Sequence, residues 1–237
     1  PSESPAYSKQ LEADPASWTV GIPREYFGEG IDPASRDGRY RTEEDSALSW
    51  TEPPESVSFQ WITAICSFQA EIADVGAGRS ILLDQLLKYG YSCLTHVEWS
   101  EAASLDVKAR LGDAAAGVNW YVGDVCEWKS ESPIDFWHDR AVFHFQTTES
   151  SKRRYLQNLN RNLAPGGFAL IATFHNDGPS KCSGLAVARY DAVSLFGTLN
   201  QLSDSPWILV QECVHPHQTP TGATQLFQYV LAKRGDV

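Results

Sequence analysis

The sequence contains no run of about 18 apolar residues, the length at which an α-helix can cross a membrane, so we expect no membrane association. The first 20 residues mix Ser, Pro, Glu and Lys without an apolar stretch, and no secretory signal is predicted there. The five cysteines are scattered, and no two have C-x-x-C spacing, which disfavours both a zinc site and a disulfide framework. These absences together indicate a reducing, cytoplasmic compartment and no bound metal.

Positive charge is also scarce. There are 19 Lys and Arg residues against 30 Asp and Glu residues, which gives a formal net charge of −11. Affinity for nucleic acids comes mostly from Lys and Arg side chains that neutralise phosphates, and the sequence has no basic run. A nucleic-acid substrate is therefore disfavoured, and the acidic balance favours a neutral or cationic one.

The N-terminal part of the chain differs in composition from the rest. Residues 1–40 are rich in Pro, Ser, Gly and charged residues and show no sustained hydrophobic period. We therefore expect an N-terminal arm or lid at residues 1–40, followed by one globular domain at residues 41–237. The composition does not indicate which oligomeric state the protein has.

From Ile72 onward, short apolar strand patterns alternate with helical patterns. The predicted strands are Ile72–Val75, Cys93–Glu98, Trp120–Gly123, Ile134–His138, Phe168–Phe174, Ile208–Val214 and Gln225–Ala232. Strands that are separated by helices pair in parallel, whereas no helical pattern lies between the last two. The predicted fold class is therefore α/β, a Rossmann-like, doubly wound sheet of seven strands, mostly parallel with the last strand antiparallel.

Acidic residues and glycines mark the ends of the first three predicted strands, which is where open α/β sheets bind ligands. The first strand ends in Asp74-Val75-Gly76-Ala77-Gly78, and glycine there allows a tight turn and close approach of a ligand. Glu98 ends the second strand and can accept hydrogen bonds from two ribose hydroxyls. Asp124 follows the third strand and could accept one from an adenine amino group. Each acid alone could equally cap a helix or lie on the surface, but three successive strand ends favour a binding site.

These positions resemble those of the class I S-adenosylmethionine-dependent methyltransferases. The segment from Asp74 to Gly78 is similar to the family's first motif, Glu98 to its ribose-binding acid, and Asp124 to its adenine-side acid. Leu163-Ala164-Pro165-Gly166-Gly167 is similar to the turn before its fifth strand, and the resemblance extends from Ser49 to Lys233. It implies S-adenosylmethionine as the cofactor, with contacts from Asp74, Gly76, Ala77, Gly78, Glu98, Trp99, Asp124 and Val125.

The segments Trp137–Phe145 and His217–Gln225 look like those of a group of small methyltransferases, mostly of unassigned substrate. The sequence departs from the family pattern at two positions. Ser80 stands where the first motif often has a third glycine, and the ribose acid is Glu98 rather than the commoner Asp.

The segment His138 to His144 follows the fourth strand and should lie beside the transferring methyl group. His144 is our first candidate for a general base and His138 a weaker one, because imidazole titrates near neutral pH. Asp139 and Arg140 could pair with the amino and carboxylate groups at the methionine end of the cofactor. The alternatives are histidines that hydrogen-bond in the core and a local salt bridge between Asp139 and Arg140.

Trp50, His175 and His217 are candidates for contact with the methyl acceptor, which is predicted to be a small molecule or a protein side chain. Two other functions remain open. A nicotinamide-dependent oxidoreductase would need G-x-G-x-x-G, and its last position here is Ile81. A catalytically silent binding protein of the same fold would be expected to lose the cofactor acids and glycines, which this sequence keeps.

Overall fold

The computed structural model describes residues 56–219 and 222–235. Its centre is a seven-stranded sheet with the order β3-β2-β1-β4-β5-β9-β8. The strands of this sheet are β1 (Ile72–Val75), β2 (Leu94–Glu98), β3 (Val118–Val122), β4 (Ile134–Arg140), β5 (Leu163–Phe174), β8 (Trp207–Gln218) and β9 (Thr224–Arg234). The predicted arm at residues 1–40, the domain start at residue 41 and Trp50 lie outside the described residues.

The directions of the strands confirm the predicted fold class. β1 pairs in parallel with β2 and β4, β2 does so with β3, and β4 with β5. β9 is antiparallel to both of its neighbours, β5 and β8. The connection from β8 to β9 is too short for a crossover helix, so the chain can only return as a hairpin.

Helices cover both faces of the sheet. They are α1 (Val57–Ile65), α2 (Leu82–Tyr89), α3 (Glu101–Leu111), α4 (Glu149–Asn162) and α5 (Ala192–Leu202). One face of the sheet buries Trp61 and Leu86 with their neighbours, and the opposite face buries Tyr155 and Leu199 with theirs. A parallel sheet that is covered on both faces needs apolar residues throughout, and all four residues of β1 are buried. Asp74 is the one buried residue of that strand that is not apolar. None of the helices in residues 56–219 and 222–235 is long and apolar enough to cross a membrane.

Two local features differ from the sequence-based expectation. The Pro165-Gly166-Gly167 turn lies inside β5, where the pairing with β4 is irregular between Ile134 and Phe136. Proline lacks an N–H and is tolerated where a ladder is interrupted in this way. A small hairpin of β6 (Lys181–Cys182) and β7 (Leu185–Ala186) was not predicted. Its turn residues Ser183 and Gly184 both have positive φ, and this dipeptide was the available signal.

Candidate active site

The glycine-containing turn after β1 is built so that residue 76 can have no side chain. Gly76 has a φ of +62°, and its N–H donates to the carbonyl oxygen of Val97 at 2.7 Å. A Cβ at this position would lie 2.0 Å from Cγ2 of Val142, far inside contact distance. Ser80, which replaces a third glycine, closes the turn: its N–H donates to the carbonyl of Ala77 at 2.9 Å, and its Oγ accepts from the N–H of Leu82 at 3.0 Å.

Glu98 ties the end of β2 to this turn. Its Oε2 accepts from the N–H of Gly78 at 2.7 Å, and its Oε1 accepts from the N–H of Ser100 at 2.8 Å. The residue is only 4% exposed, so these bonds hold the carboxylate in one orientation. Each carboxylate oxygen can accept a further hydrogen bond, which leaves capacity for a ligand hydroxyl. Trp99, half-buried, follows directly in the chain.

Asp124, at the end of β3, has a partner that sequence reasoning missed. Its Oδ1 accepts from the N–H of Cys126 at 2.9 Å, and its Oδ2 pairs with Nη1 of Arg154 at 3.0 Å. Arg154 projects from α4 and also pairs with Glu127. Val125, next to Asp124, is half-buried. The contact joins residues that are 30 positions apart in the sequence, and no local sequence pattern indicates Arg154 as the partner of Asp124.

Asp74 lies in a row of polar residues that crosses three neighbouring strands. It is in register with His96 on β2 and His138 on β4. Its Oδ1 lies 2.7 Å from Nδ1 of His138, and Nε2 of His138 lies 2.8 Å from Oγ of Ser58 on α1. Oδ2 of Asp74 is buried and has no hydrogen-bond partner within residues 56–219 and 222–235. The structure therefore places His138 beside Asp74, and the general-base role considered from the sequence stays a prediction.

His96, on the other side of Asp74, was not singled out in the sequence. Its Nε2 lies 3.3 Å from the carbonyl oxygen of Gly78, so the imidazole must be the donor in that contact. Its ring lies against that of Trp120, with 4.8 Å between the centroids. Burial lowers the pKa of His96, although the nearby carboxylates of Glu98 and Asp74 act in the opposite direction. A neutral His96 leaves the negative charge of Asp74 largely uncompensated from this side.

Asp139, which follows His138 on β4, accepts hydrogen bonds from the protein on both of its carboxylate oxygens. It is 0% exposed, and its carboxylate accepts from the N–H groups of Val142 and Phe143, both at 2.9 Å, and from the hydroxyl of Tyr155. Burial raises the pKa of Asp139 to about 6, against the opposing effect of the Tyr155 hydrogen bond. Asp139 thus holds the loop after β4, and its contact to the methionine end of the cofactor stays a prediction.

Comparisons with known proteins bear on the family and the fold of this chain. The profile of a family described as "Methyltransferase domain" matches residues 72–167. EEF1A lysine methyltransferase 2 from Danio rerio is 27% identical over 114 residues, which are 45% of this chain and 49% of that protein. The chain thus spans about half the length of this curated relative.

Solved structures of low sequence identity share the fold. One is the 1,6-didemethyltoxoflavin-N1-methyltransferase of Burkholderia thailandensis, with a TM-score of 0.66, 20% identity and 92% of each chain covered. Another is the N-methyltransferase NodS of Bradyrhizobium japonicum, with a TM-score of 0.63 and 12% identity, covering 86% of this chain and 99% of that one. Residues 72–167 thus match a methyltransferase domain, and the described chain has the fold of S-adenosylmethionine-dependent methyltransferases. The family and fold predicted from the sequence are thereby confirmed.

Three predicted site residues, Arg140, His144 and His217, lie against two phenylalanines that the sequence did not single out. We call this group the aromatic cluster: Arg140, His144, His217, Phe174 and Phe227. The guanidinium carbon of Arg140 lies 4.3 Å from the ring centroid of Phe227, and the rings of Phe174 and Phe227 are 4.8 Å apart. His144 lies 5.0 Å from Phe174, and His217 lies 6.0 Å from Phe227. All five belong to one edge of the sheet, because β4, β5 and β8 end there and β9 begins there.

His175 of the methyltransferase domain lies at this same edge, at the end of β5. Its N–H donates to the carbonyl of Leu226 at 2.9 Å, and its Nδ1 accepts from the N–H of Asp177 at 3.2 Å. Arg140 is also tied to β9, since its Nε donates to the hydroxyl of Tyr229 at 3.0 Å. The fold therefore brings Arg140, His144, His175 and His217 to the edge of the sheet at which β4 and β5 end.

Proposed function

We propose that this domain is an active enzyme that binds S-adenosylmethionine at the carboxyl ends of β1, β2 and β3 and methylates a small molecule or a protein side chain. The observation that carries the proposal is the placement of Asp74, Glu98 and Asp124 at the ends of three adjacent parallel strands, the usual ligand edge of such sheets. Two of the matched structures, those from Burkholderia and Bradyrhizobium, contain S-adenosylhomocysteine by their descriptions, which supports the same cofactor here.

The residues present fit such a cofactor. Oδ2 of Asp74 is a buried acceptor without a donor in the described part of the chain, and leaving such a group unsatisfied costs free energy. The positively charged amino group of a methionine moiety is a donor of the right charge for it. The carboxylate of Glu98 would hold the ribose hydroxyls, and Asp124, fixed by Arg154, would face the adenine.

Bound S-adenosylmethionine supplies a methyl group on a positively charged sulfur, which a nucleophile displaces in line. The protein's own contribution is to hold the two reactants in line and to exclude water. On the acceptor side we assign these tasks to the aromatic cluster, whose histidines are both buried. His144 would take the proton from an acceptor that arrives as a hydroxyl or an ammonium group.

The class of the acceptor stays open between two possibilities that the matched proteins illustrate. The relative from Danio rerio is named as a lysine methyltransferase, and the Burkholderia protein is described with a small heterocycle bound. The net charge of −11 favours an acceptor that is neutral or cationic over a polyanion.

Titration calorimetry with S-adenosylmethionine and S-adenosylhomocysteine tests the binding, and transfer of a labelled methyl group to fractionated metabolite and protein extracts tests the activity. We expect both cofactor forms to bind and NAD⁺ not to bind. Binding without transfer to any fraction would favour the silent binding protein. No binding of either cofactor form at millimolar concentration would contradict the proposal.

Glu98→Gln provides the matched test of the site within the same assay. It removes the charge that strengthens hydrogen bonds to the ribose, an effect of about 1.5–3 kcal/mol per bond, so affinity should fall at least about tenfold. Glu101→Gln makes the same chemical change on the exposed first turn of α3 and should leave affinity unchanged. Equal affinities of the two variants would exclude Glu98 from the site.

A further inference from the structure

We propose that His138 and Ser58 are positioning residues that orient Asp74, so that its free carboxylate oxygen faces the amino group of the cofactor's methionine end. The inference rests on the proposed function, because it concerns the same cofactor site. It replaces Asp139 with Asp74 as the acid at the methionine end. It also assigns to α1 the role of holding His138 through Ser58, whereas the sequence linked this helix to no function.

The three side chains form a continuous hydrogen-bonded chain across three elements. Ser58 lies on α1, His138 on β4 and Asp74 on β1, with separations of 2.8 Å and 2.7 Å between the bonded atoms. Their exposed fractions are 0%, 3% and 1%. Hydrogen bonds between fully buried partners are not exchanged with water, so the chain holds its members in one arrangement.

The proton positions in this chain follow from the chemistry of its ends. An ionised carboxylate can only accept, so Nδ1 of His138 must donate to Oδ1 of Asp74. When His138 is neutral, its other nitrogen is an acceptor and receives the hydroxyl hydrogen of Ser58. This arrangement satisfies His138 completely and engages one oxygen of Asp74. The second oxygen, Oδ2, stays buried and without a donor in the described residues.

The other side of Asp74 does not supply that donor. His96 is in register with Asp74 on β2, but its Nε2 is directed at the carbonyl oxygen of Gly78, 3.3 Å away. Oδ2 is therefore left as an acceptor next to the turn that holds Gly76 and Gly78. A cationic amino group is the ligand chemistry that matches a buried, singly engaged carboxylate.

The same connectivity, Ser–His–Asp, occurs in enzymes that use serine as a nucleophile. Here Ser58 is 0% exposed within α1 and its Oγ is hydrogen-bonded to His138, whereas Oδ2 of Asp74 has no partner in residues 56–219 and 222–235. The acceptor that lacks a donor lies at the other end of the hydrogen-bonded chain, on the carboxylate of Asp74. The arrangement therefore serves to orient Asp74 and not to activate Ser58.

The test compares two ligands that differ only in the methionine end. S-adenosylhomocysteine carries the amino and carboxylate groups, whereas 5′-methylthioadenosine has the adenine, ribose and sulfur without them. His138→Phe removes both hydrogen bonds and keeps a ring of similar size. We expect it to weaken S-adenosylhomocysteine binding by about tenfold or more and 5′-methylthioadenosine binding by less than about twofold.

Two further variants separate orientation from packing. His138→Asn offers an amide N–H near the position of Nδ1, and we expect it to restore affinity for S-adenosylhomocysteine to within about threefold of wild type. Ser58→Ala removes only the outer link and should weaken that ligand alone, by about threefold. His215→Phe, on β8, is the control for a histidine outside the site and should change neither affinity.

The outcomes distinguish this inference from the proposed function. If wild-type protein binds neither ligand, the proposed function fails, and the inference with it. If wild-type protein binds both and His138→Phe weakens them equally or not at all, the inference alone is overturned. Should His138→Phe not fold, as judged by circular dichroism, the selective effect of Ser58→Ala and the comparison with His138→Asn decide it in the same way.

Discussion

Substitution of Gly76 by alanine is the sharpest test of how the cofactor turn is built. The residue has a φ of +62°, where a side chain is strained, and its Cβ would lie 2.0 Å from Cγ2 of Val142. The same Cβ would lie 3.4 Å from Cβ of Val142, an ordinary contact. The clash therefore comes from one methyl group, which a second substitution can remove.

The expected cost has two parts. The left-handed backbone conformation costs an L-residue about 1–2 kcal/mol, and overpacking of a filled space costs about 1–3 kcal/mol. Gly76→Ala should therefore lower the free energy of unfolding by about 2–5 kcal/mol. Val142→Ala alone should cost about 1–2 kcal/mol, because the side chain is half-buried. The double variant keeps the backbone strain and loses the clash, so it should be more stable than additivity predicts, by about 1–3 kcal/mol.

Urea unfolding followed by the fluorescence of the eight tryptophans measures all four proteins of this cycle. S-adenosylhomocysteine affinity, measured in parallel, should fall in Gly76→Ala and partly recover in the double variant. A coupling free energy below about 0.5 kcal/mol would refute the steric argument and leave only backbone strain.

Three other predictions follow from the same geometry. The pKa of Asp139 is raised from 3.8 to about 6, so the folded state binds this proton more tightly than the unfolded state does. The protonated carboxyl group therefore contributes at most about 3 kcal/mol to the free energy of unfolding. This contribution is present below pH 4 and is lost as the pH rises through 6. Urea unfolding from pH 4 to 7 should show this loss in wild type and not in Asp139→Asn; parallel pH profiles would contradict it. Arg154→Met removes the partner of Asp124 and should weaken S-adenosylhomocysteine and 5′-methylthioadenosine alike, by about threefold in calorimetry, whereas an effect on only one would place Asp124 elsewhere. Cys182 is buried in the apolar core, so Cys182→Ser should leave methyl transfer unchanged, and lost transfer would give the thiol a role.

The sequence alone was sufficient for the fold class and for placing three candidate site residues at one edge of the sheet. Apolar runs separated by helical patterns predict a parallel sheet, and in such a sheet the carboxyl ends of neighbouring strands meet at one edge. The glycines and acids at three successive strand ends could therefore be assigned to a common edge without coordinates. Asp74, Glu98 and Asp124 lie there in the structure because their positions depend on strand order and direction, which local patterns encode.

What each side chain contacts was decided only by the tertiary structure. Asp139 and Asp74 look alike in the sequence, as acids at or near the end of an apolar strand. Asp139 meets the N–H groups of Val142 and Phe143 and the hydroxyl of Tyr155, which engage both of its oxygens. Asp74 meets a histidine 64 residues away and keeps one oxygen free of donors in the described chain.

The same limit explains the missed residues. Ser58 is 80 positions from His138, and Arg154 is 30 from Asp124. Whether a hydrogen bond forms depends on differences of tenths of an ångström in the donor–acceptor distance. It also depends on the face of the strand or helix from which the side chain projects. Strand register and helix packing set those quantities, and they result from the burial of the whole apolar core rather than from any segment. The sequence therefore determined which edge of the sheet carries the three acids, and the packed structure determined which of them keeps an oxygen without a donor in the described residues.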